Sequence, residues 1–99
     1  MAMFVGVLRL RLQLPESGSL KEKRQVVRSM LARLKNELKV AAAEVDKLDR
    51  WQVAEIGIAC VGNDVRHVEE VTAQAANFVQ RNWPELPILE LETETLQAF

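Results

Sequence analysis

Cysteine, glycine and aromatic residues are scarce in this chain of 99 residues, and histidine occurs only once. With Cys60 as the single cysteine, no disulfide can form within the chain, and we expect this side chain to pack as a small hydrophobe. The sequence has no glycine-rich phosphate loop, no metal-ligand spacing and no nucleophile motif around His67. These absences predict no catalytic residue, no metal site and no cofactor.

Long apolar runs are also absent. No stretch approaches the ~18 apolar residues of a membrane span, and no charged leader precedes an apolar segment at the start. We therefore expect a cytoplasmic protein that does not contact a membrane. With 48% hydrophobic and 27% charged residues, the composition is that of one globular domain, residues 1–99, that buries a single core.

The net charge of -1 conceals a strong segregation of charge along the sequence. Residues 19–39 carry seven cations against two acids, whereas residues 40–83 carry four cations against seven acids. Residues 84–99 contain four glutamates and no cation. Any attraction to nucleic acid is therefore expected to be local and to involve the basic segment.

Four segments have the alternation that is typical of strands, namely residues 3–14, 40–46, 51–61 and 87–95. In the first, Arg9 and Arg11 alternate with an unbroken leucine face. Residues 47–50 are a polar tip so short that it predicts an antiparallel hairpin between the second and third strands. In the last strand, Leu89 and Leu91 alternate with Ile88, Glu90, Glu92 and Glu94. The acids near the hairpin are expected on the surface; they are Glu44, Asp46 and Asp49.

Two segments have helical periodicity. A turn over residues 15–18 precedes Ser19 and Glu22, whose spacing is that of a capping box at a helix N-terminus. The apolar stripe that follows contains Leu20, Val27, Met30, Leu31, Leu34 and Leu38. Asp64 follows Asn63 and can cap a second helix that ends near residues 82–84. Its stripe contains Val65, Val68, Val71, Thr72, Ala75 and Val79.

The order β-α-β-β-α-β predicts an α+β fold, the ferredoxin-like two-layer sandwich. In it, two helices cover one face of a four-stranded antiparallel sheet with strand order 4-1-3-2. On the uncovered face, Arg9 and Arg11 would lie between Glu55 and the acids of the last strand, which predicts cross-strand ion pairs. No aromatic side chain is expected on that face, so base stacking of the kind used by RNA-recognition motifs is not predicted.

The first helix places cations where a helix start should avoid them. Lys21, Lys23 and Arg24 crowd into the first turns, where the helix macrodipole repels positive charge. Around the helix axis, Lys21, Arg24, Arg28 and Lys35 share one flank of the apolar stripe. Lys23 falls within the stripe itself, so its ammonium must either reach water or meet an acid. The opposite flank carries Arg33 and Glu37, which can form a pair.

The cations near the start of the first helix and along its first flank allow two interpretations. One is an anion-binding ridge that ends at a helix N-terminus, where exposed N–H groups add to the field. The other is an ordinary solvated helix face. The first reading makes Lys21, Lys23, Arg24 and Arg28 the candidate phosphate-binding residues.

The sequence resembles the YlxP-like family of small bacterial domains of unknown function. The residues that carry the resemblance are Ser19 to Arg24 (SLKEKR), Arg28-Ser29, Val45-Asp46, Trp51-Gln52 and Val61 to Asp64 (VGND). Gly62 departs mildly from the family, which more often has Ser there, and this affects only a turn. The resemblance implies a ferredoxin-like fold and a cytoplasmic bacterial protein. Genes of that family often lie among those for transcription elongation, translation initiation and ribosome maturation, which implies an association with RNA or the ribosome.

The predicted function is therefore that of a non-enzymatic accessory domain that contacts structured RNA or a ribonucleoprotein, such as the ribosome, through phosphates. An alternative is a protein-interaction module that forms a homodimer, or docks a partner, through an apolar patch on the open sheet face. That patch would comprise Val5, Val7, Val53 and Val61. A third possibility, an enzyme acting on an anionic metabolite at the helix terminus, has less support because no catalytic motif accompanies it.

Overall fold

The computed structural model describes residues 1–15 and 17–99, so Glu16, part of the predicted turn, lies outside the described residues. The elements follow the order β-α-β-β-α-β that the periodicity predicts. They are β1 (Phe4–Gln13), α1 (Leu20–Leu38), β2 (Ala41–Asp46), β3 (Val53–Gly62), α2 (Val65–Asn82) and β4 (Ile88–Gln97). The predicted α+β, ferredoxin-like arrangement is confirmed.

The four strands form one antiparallel sheet in the order β2-β3-β1-β4, which is the predicted order. Strand β1 is central, and its helix-facing side chains Leu8, Leu10 and Leu12 are buried. Helix α1 packs on the β2 side of the sheet, and α2 packs on β1 and β3. Burial of this leucine face between the sheet and the helices is the main hydrophobic stabilisation of the fold.

Strand β4 contains a β-bulge that the alternation did not predict. Leu12 is opposite Ile88, whereas its neighbour Arg11 is opposite Glu90, so Leu89 is an extra residue in β4. Because of this extra residue, Ile88 packs against the core and not on the open face with Glu90. The predicted placement of Ile88 with the glutamates is therefore wrong.

The N-terminus of α1 has the predicted capping box. Ser19 is the N-cap in extended conformation, and its hydroxyl accepts a hydrogen bond from the Glu22 N–H at 3.1 Å. In return, the Glu22 carboxylate accepts from the Gly18 N–H at 2.7 Å, one residue before the cap. Two backbone donors at the helix start are thereby satisfied by side chains.

Loss of the Ser19 hydroxyl is expected to destabilise the fold, because the Glu22 N–H then loses its acceptor. We expect Ser19→Ala to lower the free energy of unfolding by about 1 kcal/mol, measured by urea denaturation with an unchanged m-value. Ser29→Ala on the exposed surface of the same helix is the matched control, since alanine favours a helix interior and removes no cap. Equal midpoints for the two variants would contradict the capping role.

Candidate functional site

Four cations lie along one flank of α1, and we call them the basic flank: Lys21, Arg24, Arg28 and Lys35. All four side chains are exposed. None of them forms an ion pair within residues 1–15 and 17–99. The first and last are 14 positions apart, so the flank is roughly 21 Å long at a rise of 1.5 Å per residue. It presents uncompensated positive charge to solvent.

The opposite flank of α1 is a structural contact with α2. Arg33 Nε lies 2.7 Å from Glu37 Oε2, which confirms the predicted pair. Its Nη2 donates to Asn82 Oδ1 at 3.0 Å, and its guanidinium carbon lies 5.1 Å from the Phe78 ring centroid and 5.2 Å from that of Trp83. Because this flank faces α2, the basic flank faces the other way, beside the edge strand β2.

Lys23 does not belong to the basic flank, although its charge suggested a phosphate ligand. Its side chain points into the protein, and the residue is 0% exposed. Its Nζ lies 2.8 Å from Glu44 Oε2 and also donates to the backbone carbonyl of Lys47. The prediction of Lys23 as a phosphate-binding residue is therefore wrong. The alternative for a lysine within an apolar stripe, that it meets an acid, is confirmed.

The helix N-terminus is also less open to anions than the sequence suggested. The Glu22 carboxylate lies at the first turn, where it accepts the Gly18 N–H. A carboxylate in this position offsets the positive end of the helix dipole. It also compensates part of the repulsion that the macrodipole exerts on Lys21 and Arg24. The candidate anion-binding surface is therefore the side of α1 and not its end.

The arginines of the open sheet face are paired, as predicted. Arg11 bridges two strands, with Nη2 2.9 Å from Glu55 Oε1 and Nη1 3.0 Å from Glu90 Oε2. Arg9 pairs with Glu92, and its Nη2 also lies 3.5 Å from Glu90 Oε1. Glu55 is only 2% exposed beneath this network. These ion pairs hold β1 between its neighbours and leave neither arginine free for phosphate.

The valines of the predicted apolar patch lie at two ends of the open face. Val5 is opposite the exposed Val61, and Val7 is opposite Ala59, so these side chains are neighbours. Val53 is opposite Gln13 at the far end, beyond the rows of Arg9 and Arg11. The structure therefore brings together three of the four valines of the predicted patch.

Beside Val7 the open face is concave, and we call this region the open-face trough. The trough has a volume of about 550 Å³. The residues that line it on this face are Val7, Ala41, Ala43, Val45, Gly57 and Ala59, with Arg9, Glu92 and Glu94 at the β4 side. Gly57 permits a close approach, since a Cβ there would lie 2.7 Å from Val45 Cγ1. The trough was not predicted, although the run of small residues in the second strand, Ala41 to Ala43, is a signal for it.

The remaining reactive groups have structural explanations. Cys60 packs against the core, as predicted, and its burial raises the pKa of the thiol while a Gly6 backbone hydrogen bond lowers it. The Lys47 N–H donates to Asp46 Oδ1 at 2.7 Å and lowers the pKa of that carboxyl.

Among the residues that the structure describes, no three His, Cys, Asp or Glu side chains are grouped to hold a metal. Within the same residues, no helix is long and apolar enough to cross a membrane.

Solved structures with the same fold have little sequence similarity to this chain. Protein SO0527 from Shewanella oneidensis aligns with a TM-score of 0.61 at 15% identity, covering 98% of this chain and 91% of that one. The de novo designed protein Foldit4 aligns with a TM-score of 0.57 at 16% identity, covering 98% and 99% of the two chains. The protein is thus a ferredoxin-like α+β sandwich.

The family of the chain follows from its sequence relatives. Residues 5–93 match the model of the family described as "Protein of unknown function (DUF503)". The chain is also 33% identical over 79 residues to the uncharacterized protein YlxP of Bacillus subtilis strain 168, which covers 80% of this chain and 85% of that protein. The chain belongs to this family of unknown function.

Proposed function

We propose that this chain is a non-enzymatic accessory domain of a cytoplasmic bacterial protein that binds structured RNA, or a ribonucleoprotein such as the ribosome, through phosphates. The observation that supports the proposal is the basic flank: Lys21, Arg24, Arg28 and Lys35. These cations are exposed and form no ion pair in the described part of the chain. Elsewhere, Arg9, Arg11 and Arg33 are each bound to carboxylates. The exposed Arg66 and Arg81 lie at opposite ends of α2 and do not form a row.

The distribution of charge favours RNA over an isolated anionic metabolite. A flank roughly 21 Å long offers several separate points of contact, which match a chain of phosphates better than one small anion. Phosphate contacts position a protein without reading bases. Because the open face carries no aromatic side chain, it offers no stacking platform for unpaired bases. Binding is therefore expected to depend on RNA shape and salt more than on sequence.

The test is reversal of charge on the basic flank. We expect Arg24→Glu combined with Arg28→Glu to abolish co-sedimentation with bacterial ribosomes and binding to deproteinised ribosomal RNA. For the wild type, about four phosphate contacts predict a log–log slope of affinity against salt of roughly -3 to -4. Sedimentation measures ribosome binding, and fluorescence anisotropy with labelled RNA measures the affinity for RNA and its dependence on salt.

The matched control changes the same number of charges on the other helix. Arg66→Glu combined with Arg81→Glu alters two exposed arginines of α2, so binding is expected to persist apart from a small long-range effect. Arg33 is unsuitable as a control because it joins α1 to α2. Equal binding by both double variants, or no binding by the folded wild type at about 50 mM salt, would reject the proposal.

A further inference from the structure

The open-face trough is about as wide as an α-helix. Its floor spans β2 and β3, and larger side chains stand beside it, Val7 on β1 and Val45 near the end of β2. The small floor residues are Ala41, Ala43, Gly57 and Ala59. Strands β1 and β2 are separated by β3, so they lie two strand spacings apart, about 9.6 Å. This distance is close to the ~10 Å diameter of an α-helix with its side chains. Both helices of the described chain pack on the opposite face of the sheet, which leaves the trough uncovered.

The side of the trough along β4 is acidic. Arg9, Glu92 and Glu94 line it. Arg9 pairs with Glu92, whereas Glu94 forms no ion pair with any residue that the structure describes. Across the open face as a whole, four glutamates accompany only Arg9 and Arg11. A group that docks in the trough therefore meets an apolar floor and a negatively charged rim.

We propose that the open-face trough binds an amphipathic helix of a partner protein, with small apolar side chains towards the floor and lysine or arginine towards Glu94. The apolar floor would supply burial, and the charged rim would fix the direction of the helix and favour basic partners. This interaction surface is distinct from the basic flank, because α1 lies on the other side of the sheet.

Other occupants fit these observations less well. In a two-fold dimer of this chain, the same acidic rim would enter the interface from both sides, and each Glu94 would be desolvated without a base. A small ligand would meet polar groups only along the β4 side, where Arg9 and Glu92 are already paired with each other, and none on the alanine and valine floor. An extended peptide would form its backbone hydrogen bonds at a sheet edge, not on the face.

Site-specific photo-crosslinking in the native host tests what occupies the trough. A benzophenone amino acid at Val45, exposed beside the trough floor, is compared with the same group at Gln74, exposed on α2. We expect adducts from position 45 only, and mass spectrometry should place them in a basic segment of another protein whose sequence has the pattern of an amphipathic helix. Adducts to a second copy of this chain, adducts to RNA, equal adducts from both positions, or none from position 45 would overturn the proposal.

A synthetic peptide of the crosslinked segment then tests the charge argument with purified protein. Glu94→Lys is expected to weaken binding about tenfold at low salt, because it replaces attraction by repulsion, whereas Glu85→Lys away from the open face is the matched control. The Arg24→Glu/Arg28→Glu variant should bind the peptide as the wild type does, which separates this surface from RNA binding. Equal affinities for Glu94→Lys and Glu85→Lys would also overturn the proposal.

Discussion

Replacing Lys23 with alanine is expected to lower the free energy of unfolding by about 3 to 5 kcal/mol, the largest effect of any single charge in the described chain. Lys23 is fully buried, and its ammonium lies 2.8 Å from Glu44 Oε2. Removal of the ammonium leaves the mostly buried Glu44 carboxylate without its counter-charge. It also leaves the Lys47 carbonyl without this donor, and that carbonyl belongs to a residue in left-handed conformation at the hairpin tip.

Chemical denaturation at neutral pH measures this effect, and two further variants identify its cause. Lys21→Ala removes a cation from the exposed flank two residues away and should change stability by less than about 0.5 kcal/mol. Lys23→Met combined with Glu44→Leu removes both charges and should recover most of the loss. If Lys23→Ala and Lys21→Ala had similar midpoints, the buried pair would not contribute to stability.

The sequence predicted the architecture because its periodic segments and turn signals agree. The leucine face of β1 predicted a central strand, and the central strand in turn predicted acids on both sides of Arg9 and Arg11. Arg11 has them, whereas Arg9 pairs only with glutamates of β4 because Gly57 is opposite it on β3. Local features were predicted equally well, since the capping box depends only on Ser19 and Glu22 at a fixed spacing. Interactions within one element, or between strands in a known order, are therefore accessible from the sequence.

The partner of Lys23 could be identified only from the tertiary structure. Its position in the apolar stripe allowed either water or an acid as the partner, and the acid is 21 positions away on β2. Alternation along the strand predicted Glu44 as a surface residue, yet its side chain is only 14% exposed. A helical wheel shows which residues share a face, but it does not show which charges of a neighbouring strand lie within reach.

The bulge in β4 and the open-face trough could not be predicted from the sequence for a related reason. A single extra residue at Leu89 moves Ile88 to the core side, and nothing in an alternating run of leucines and glutamates marks where the register shifts. The trough results from small residues on two different strands, Ala41 and Ala43 beside Gly57 and Ala59, which only the β2–β3 register brings together. The basic flank, in contrast, lies within one helix, so its geometry could be predicted.

Gly6→Ala is expected to lower the free energy of unfolding by about 1 to 3 kcal/mol, because β1 and α2 are in close contact at this glycine. A Cβ at position 6 would lie 2.3 Å from Val68 Cγ1 and 3.0 Å from Thr72 Cγ2. Val68 and Thr72 are buried on the sheet-facing side of α2, so relief of the overlap requires the helix to move away from the sheet. Such a displacement loosens the packing of the core.

Thermal and urea denaturation of four variants tests this explanation of Gly6: the two single glycine replacements, Val68→Ala, and Gly6→Ala combined with Val68→Ala. Gly18→Ala is the control for the general effect of replacing glycine, since the nearest atom to its Cβ would be 3.5 Å away, and it should leave stability within about 1 kcal/mol of the wild type. In the background of Val68→Ala, which removes the overlapping methyl group, Gly6→Ala should be markedly less destabilising than in the wild type. If Gly6→Ala had equal effects in the two backgrounds, overlap with Val68 would not be the reason that this position needs glycine.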